Sequence, residues 1–90
     1  MRESIRMSRK KEKYFEEELL PRYERIYRMV RVSVRSEKDA EDITQIVFEK
    51  AYKKLWQLRD LTWGPLWLRS IARNEVRQYE RDLADRKSVV

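Results

Sequence analysis

The chain has 90 residues, 41% hydrophobic and 42% charged, with only 1 Gly and 2 Pro; it reads as one small domain of helices with short connections. With no Cys it has neither disulfides nor a thiolate metal site, and with no His it lacks the commonest general base and metal ligand. A net charge of +6 points to a polyanionic partner, nucleic acid first, and on composition alone equally to a solvated, salt-bridged helix surface.

Met1 to Lys13 mixes charges without apolar periodicity, which predicts a mobile arm. From Tyr14 the pattern becomes helical, because Phe15, Leu19, Tyr23, Ile26, Tyr27, Val30 and Val34 recur every three or four residues. Pro21 predicts a kink, or two helices meeting near Leu20. Opposite this stripe Arg28, Arg31 and Arg35 line up at helical spacing, a pattern open to two readings, a wet face or a DNA contact.

Ser36-Glu37-Lys38-Asp39 reads as a helix start: the Ser36 hydroxyl is placed to accept a backbone N–H, and the acids suit the helix dipole. Ala40, Ile43, Val47, Ala51 and Leu55 then form a buried stripe. Leu58 to Trp63 is the connection, with Thr62 the expected N-cap of the next helix and Pro65 in its first turn. The last helix is expected to bury Leu68, Ile71, Ala72, Val76 and Tyr79 and to fade after Leu83. The expected organisation is therefore an arm over 1–13, a helical domain over 14–83 and a loop or tail over 84–90. The class is all-α, a compact three- to four-helix bundle. No apolar run approaches a membrane span, so a cytoplasmic protein without a membrane partner is expected.

Charge is segregated along the chain. Asp39, Glu41 and Asp42 crowd one helical turn, with Glu49 further on, while basic residues dominate the first third and the final helix. Two different partners follow from that division. The final helix repeats Arg73, Arg77 and Arg81 every four residues, with Ser70 and Asn74 alongside. Two readings are open: arginines suit phosphates and an asparagine amide suits a base edge, or Arg77 and Arg81 pair with Glu80 or Asp82 on a solvated helix. Trp56, Trp63 and Trp67 are many tryptophans for one connection. They fit either core packing or stacking on unpaired bases, worth roughly 1–3 kcal/mol per base.

Asp39-Ala40-Glu41-Asp42-Ile43-Thr44-Gln45, then Lys50-Ala51-Tyr52, then Trp67-Leu68-Arg69-Ser70-Ile71-Ala72-Arg73-Asn74 carry a resemblance. In order and spacing they resemble the second conserved region of the extracytoplasmic-function bacterial sigma factors, nearly without gaps from about Phe15 to Asp82. The resemblance implies a helical bundle of the sigma-factor region-two type. It implies that Asp42, Gln45, Ile46 and Glu49 dock on the clamp helices of the largest subunit of core RNA polymerase. It also implies that Trp63, Trp67, Ser70, Arg73, Asn74, Arg77 and Arg81 hold the non-template strand of promoter DNA at the melted minus-ten element. An anti-sigma protein is a further partner that it allows.

The chain departs from the family pattern at three positions. Ile46 stands where relatives usually carry Glu, Leu58 replaces a common Phe, and Gly64 replaces an aromatic, a space into which Trp63 is expected to move. In the family a domain for the minus-thirty-five element follows; the expectation here is either an excised domain or a natural minimal relative, an end inside a loop favouring excision. The function expected is binding without covalent chemistry, with no metal, cofactor or small-molecule substrate. The alternatives are a duplex-binding helical regulator that uses its last helix in the major groove, and a sigma-like protein-interaction module that does not read DNA.

Overall fold

In the computed structural model residues 8–88 are described, and all regular structure among them is helical. Helix α1 spans Arg9–Tyr14 and runs through a π-turn, Phe15–Leu19, and a 3-10 turn, Leu20–Arg22, into α2 at Tyr23–Ser33. Helix α3 spans Glu37–Lys54. Two 3-10 turns, Leu55–Gln57 and Leu61–Trp63, lead into α4 at Gly64–Ser88. Eight helical segments thus stand where a three- to four-helix bundle was expected, and α2, α3 and α4 are the three long helices. Local chemistry causes the breaks. Pro21 has no N–H to give, so the chain tightens into the 3-10 turn around it.

The apolar stripes meet in one core. Phe15, Leu19, Ile26, Val30 and Val34 from the N-terminal half pack with Ala40, Ile43, Val47, Phe48, Ala51 and Leu55 of the α3 region. Leu68, Ala72 and Val76 of α4 close it, while Tyr23, Tyr27, Ile71 and Tyr79 pack half-buried at its margin. Each large aliphatic side chain taken from water contributes about 1.5–3 kcal/mol. Thr44 is fully buried in this apolar setting, and its hydroxyl donates to the Ala40 carbonyl at 2.7 Å, so no polar group is orphaned there.

Ser36 caps α3 as its sequence predicts: its Oγ accepts from the Asp39 N–H at 3.1 Å. Thr62 does not cap α4. Asp60 accepts both the Thr62 N–H and the Thr62 hydroxyl, which spends Thr62 on the preceding 3-10 turn, and α4 opens at Gly64 with Pro65 in its first turn. The fading expected after Leu83 does not end α4, which continues to Ser88. Strong helix formers such as Ala84, Arg86 and Lys87 sustain it once the core-facing periodicity has stopped.

The N-terminal arm also begins structured earlier than its hydropathy suggests. Ser8 caps α1, accepting from the Lys11 N–H at 3.2 Å. The Lys11 ammonium then donates to the carbonyls of Leu55, Trp56 and Leu58 at 3.1, 3.0 and 2.9 Å. Polar bonds rather than apolar contacts hold residues 9–13, which is why a hydrophobicity pattern passes over them. Met1 to Met7 and Val89–Val90, the outer parts of the arm and tail, lie outside the described residues.

Candidate functional site

Two exposed faces carry the residues singled out in the sequence. On α3, Asp42, Gln45, Ile46 and Glu49 are all exposed and fall within an arc of about 100° on a helix of 100° per residue. That arc lies opposite Ala40, Ile43, Val47 and Ala51, which face the core. Ile46 is 39% exposed, an apolar spot among polar neighbours. Among the described residues one ion pair touches the face, Lys38 to Asp42 at 4.0 Å, between two well-exposed side chains. Such a pair contributes about 0–1 kcal/mol and does not occupy the face.

Beside Gln45 and Glu49 opens an apolar groove of about 360 Å³, lined by Phe15, Leu20, Tyr23, Phe48, Tyr52 and Lys53. Edge-to-face packing of Phe15 on Phe48 and Tyr52, with ring centroids 6.4 and 5.1 Å apart, fixes its wall. Acidic groups surround the two phenols. The hydrogen bond that the Tyr52 hydroxyl donates to Glu12 at 2.9 Å raises its pKa, aided by burial and by Glu16. Burial, then Glu41 and Glu24, raises that of Tyr23. Sequence spacing did not reveal the groove, because its lining comes from the π-turn, the Pro21 turn and α3 together.

On α4, Trp67, Ser70, Arg73, Asn74, Arg77 and Arg81 lie within an arc of about 120° that faces away from Leu68, Ala72 and Val76. All are exposed except Trp67, which is half-buried and packs against the core. Among the described residues no acid of this helix stands at ion-pair distance from Arg73, Arg77 or Arg81. Glu75 pairs with Lys50 of α3 at 2.5 Å, and Asp82 accepts from the Gln78 amide at 3.1 Å. Among the described residues, Arg73, Arg77 and Arg81 make no carboxylate pair, and the Asn74 amide makes no hydrogen bond. Ser70 is less free: its hydroxyl donates to the Trp67 carbonyl at 2.8 Å and retains only acceptor capacity for a ligand.

The connection before α4 presents Trp63 outward, 58% exposed, and Trp56 likewise. Trp63 does not occupy the space that Gly64 leaves. The Tyr14 ring fills it, and the Tyr14 hydroxyl donates to the Leu61 carbonyl at 2.7 Å. A Cβ at position 64 would stand 2.0 Å from that hydroxyl oxygen, so Gly64 serves a close approach. Its φ of -52° is ordinary for any residue. Burial, then the carboxylate of Glu18, raises the Tyr14 pKa. Tyr14 and Lys11 therefore pin the aromatic connection from the N-terminal side. Hydropathy offered no signal for either residue.

Of the arginine row on α2, Arg31 turns back to its own helix end and donates to the carbonyls of Val34 and Arg35 at 3.0 Å each. It is a C-terminal cap, so of the expected row only Arg28 stands on the wet face of α2, and Arg35 lies beyond the helix end at Ser33. Tyr79 ties α4 to α3 by donating to Asp39 at 2.9 Å, and that bond is the main cause of its raised pKa. Asp60 is held below the usual carboxylate range by the two bonds from Thr62.

No family model matches the chain, and neither a curated protein nor a solved structure is similar to it. Function has to be argued from the two faces themselves. No helix among the described residues is long and apolar enough to cross a membrane.

Proposed function

We propose that this chain is a promoter-recognition domain of the extracytoplasmic-function sigma type, acting in the cytoplasm. It docks on core RNA polymerase through α3 and holds the melted non-template strand with α4 and the connection before it. One observation carries the reading: Trp67, Ser70, Arg73, Asn74, Arg77 and Arg81 share a single face of α4 whose three arginines stand in no ion pair among the described residues, with an exposed tryptophan just ahead of it. The residues assigned to polymerase share a different face on a different helix.

The mechanism is differential binding. Unpaired bases offer π-faces to Trp63 and edges to Asn74, while Arg73, Arg77 and Arg81 attract phosphates. Paired bases hide those faces, so the protein binds the open strand better and shifts the melting equilibrium towards it. Stacking at roughly 1–3 kcal/mol per base is comparable to the few kcal/mol that extruding a base costs. Several contacts, and polymerase, must therefore act together. On α3, Asp42, Gln45 and Glu49 offer acceptors for a basic helical hairpin, and Ile46 adds an apolar contact where relatives place a carboxylate.

The test is fluorescence anisotropy of this chain with a labelled non-template single strand, a scrambled strand and the matching duplex, each with and without core polymerase. Selective single-strand binding that strengthens with polymerase, and weakens in Asn74→Ala and Gln45→Ala, is expected. Duplex selectivity indifferent to polymerase would instead establish a groove-binding regulator. Polymerase binding without any DNA preference would leave an interaction module.

A further inference from the structure

Between α2 and the first turn of α4 lies a cleft of about 330 Å³. Ile26, Met29 and Leu68 form its apolar floor, and Pro65 and the exposed Leu66 form its lip. Around it stand Arg22, Arg25 and Arg69. Arg25 and Arg69 pair with no carboxylate among the described residues, and Arg22 spends only its Nε, on the Glu18 carbonyl oxygen at 3.0 Å. Glu17 and Glu18 line a neighbouring depression with Arg22 and Arg25 without reaching ion-pair distance. The three guanidinium groups are thus left with unmet attraction for an anion.

The cleft's size and lining narrow what fits. It sits near the lower end of ligand-pocket volumes, roughly 300–1,000 Å³, too small for a helix and suited to one ring system. An apolar floor under a cationic rim asks for a flat apolar body with negative charge at its edges. A nucleotide unit has that form: its base covers the floor, and its phosphates meet guanidinium forks that are also able to stack. The cleft is continuous with the DNA face of α4, since Arg69 precedes Arg73, Arg77 and Arg81 in the same four-residue step.

We infer that this cleft captures one unstacked base of a single-stranded nucleic acid, with Arg22, Arg25 and Arg69 on the flanking phosphates. The inference rests on the DNA-binding reading and adds a base site apart from Trp63, Trp67 and Asn74.

The test titrates labelled single strands, intact or with one abasic site stepped along the sequence, into wild type, R25A/R69A and K38A/K53A. All four substituted residues are exposed, so the fold is expected to persist, and circular dichroism checks it. The K38A/K53A variant removes the same charge from α3. R25A/R69A is expected to bind the intact strand about tenfold more weakly, a loss comparable to one stacked base, while K38A/K53A changes far less. In wild type abasic positions at the bases met by Trp63 and Asn74 and at one further position are expected to weaken binding, and in R25A/R69A only the penalty at that further position is expected to vanish. Equal losses in the two double variants, or the same set of abasic penalties in R25A/R69A as in wild type, would overturn the cleft assignment. If Asn74→Ala still weakened binding, the DNA reading would stand without it. Absence of any single-strand binding by wild type, with polymerase present, would remove both.

Discussion

Replacing Gly64 by alanine tests how the aromatic connection is held. The new Cβ would lie 2.0 Å from the Tyr14 hydroxyl oxygen and 2.9 Å from Cζ, so the ring has to swing aside. That movement breaks the 2.7 Å bond to the Leu61 carbonyl, a loss of about 0.5–1.5 kcal/mol. Forced displacement of a packed ring costs about 1–3 kcal/mol more. Alanine returns about 0.5–1 kcal/mol of backbone entropy, since φ at this position is already helical. The balance is a destabilisation of about 0.5–4 kcal/mol, a fall in Tm of about 2–30 °C for a domain of this size. The assay is thermal and urea unfolding of wild type, G64A, Y14F and the double variant. Removing the hydroxyl takes away the 2.0 Å clash, so G64A is expected to cost less in the Y14F background than alone, by more than the roughly 0.5 kcal/mol within which independent changes add. Equal costs in both backgrounds, or stabilisation by G64A alone, would refute the packing of Tyr14 over Gly64.

Leu68→Ala removes a fully buried side chain where α4 meets the core, and is expected to lower stability by about 2–5 kcal/mol in urea titrations. Ser36→Ala deletes the α3 cap and is expected to cost about 0.5–2 kcal/mol by the same measurement. Tyr14, Tyr23, Tyr52 and Tyr79 all have raised pKa values in the folded chain. The unfolded chain therefore releases its phenolic protons first, so the stability they contribute is complete below the ordinary value near 10 and is lost as pH climbs through the raised values. Tm is expected to fall more steeply above about pH 10 in wild type than in a Tyr52→Phe, Tyr79→Phe variant.

The core was legible because it repeats. Every residue of the α3 stripe from Ala40 to Leu55 is buried, and the Ser36 cap follows from side-chain chemistry at one position. Phe48 and Thr44 widened that stripe without contradicting it. The candidate faces were legible for the same reason, since four-residue spacing places Arg73, Arg77 and Arg81 together on any helix. The misses come from polar and steric contacts between residues far apart in the chain. Lys11 bonds to carbonyls whose own residue types are immaterial, so no pattern at 55, 56 or 58 announces it. The Tyr14 ring fills the space at Gly64, which a local reading gave to the adjacent Trp63. The cleft of Arg22, Arg25 and Arg69 needs α2 and α4 side by side before its arginines share a rim.

The Lys11 bonds also bear on the order in which the chain assembles. Helices and the turn between α3 and α4 close over short separations, whereas Lys11 reaches carbonyls 44, 45 and 47 residues ahead. Closing so long a loop has an entropic cost that is recovered only once both ends are already placed. The ammonium is therefore expected to engage after the folding barrier is crossed. Lys11→Ala should leave the refolding rate near its wild-type value and put its whole effect into faster unfolding. In that case a residue outside the hydrophobic nucleus sets how long the native chain persists, with no part in how quickly it forms.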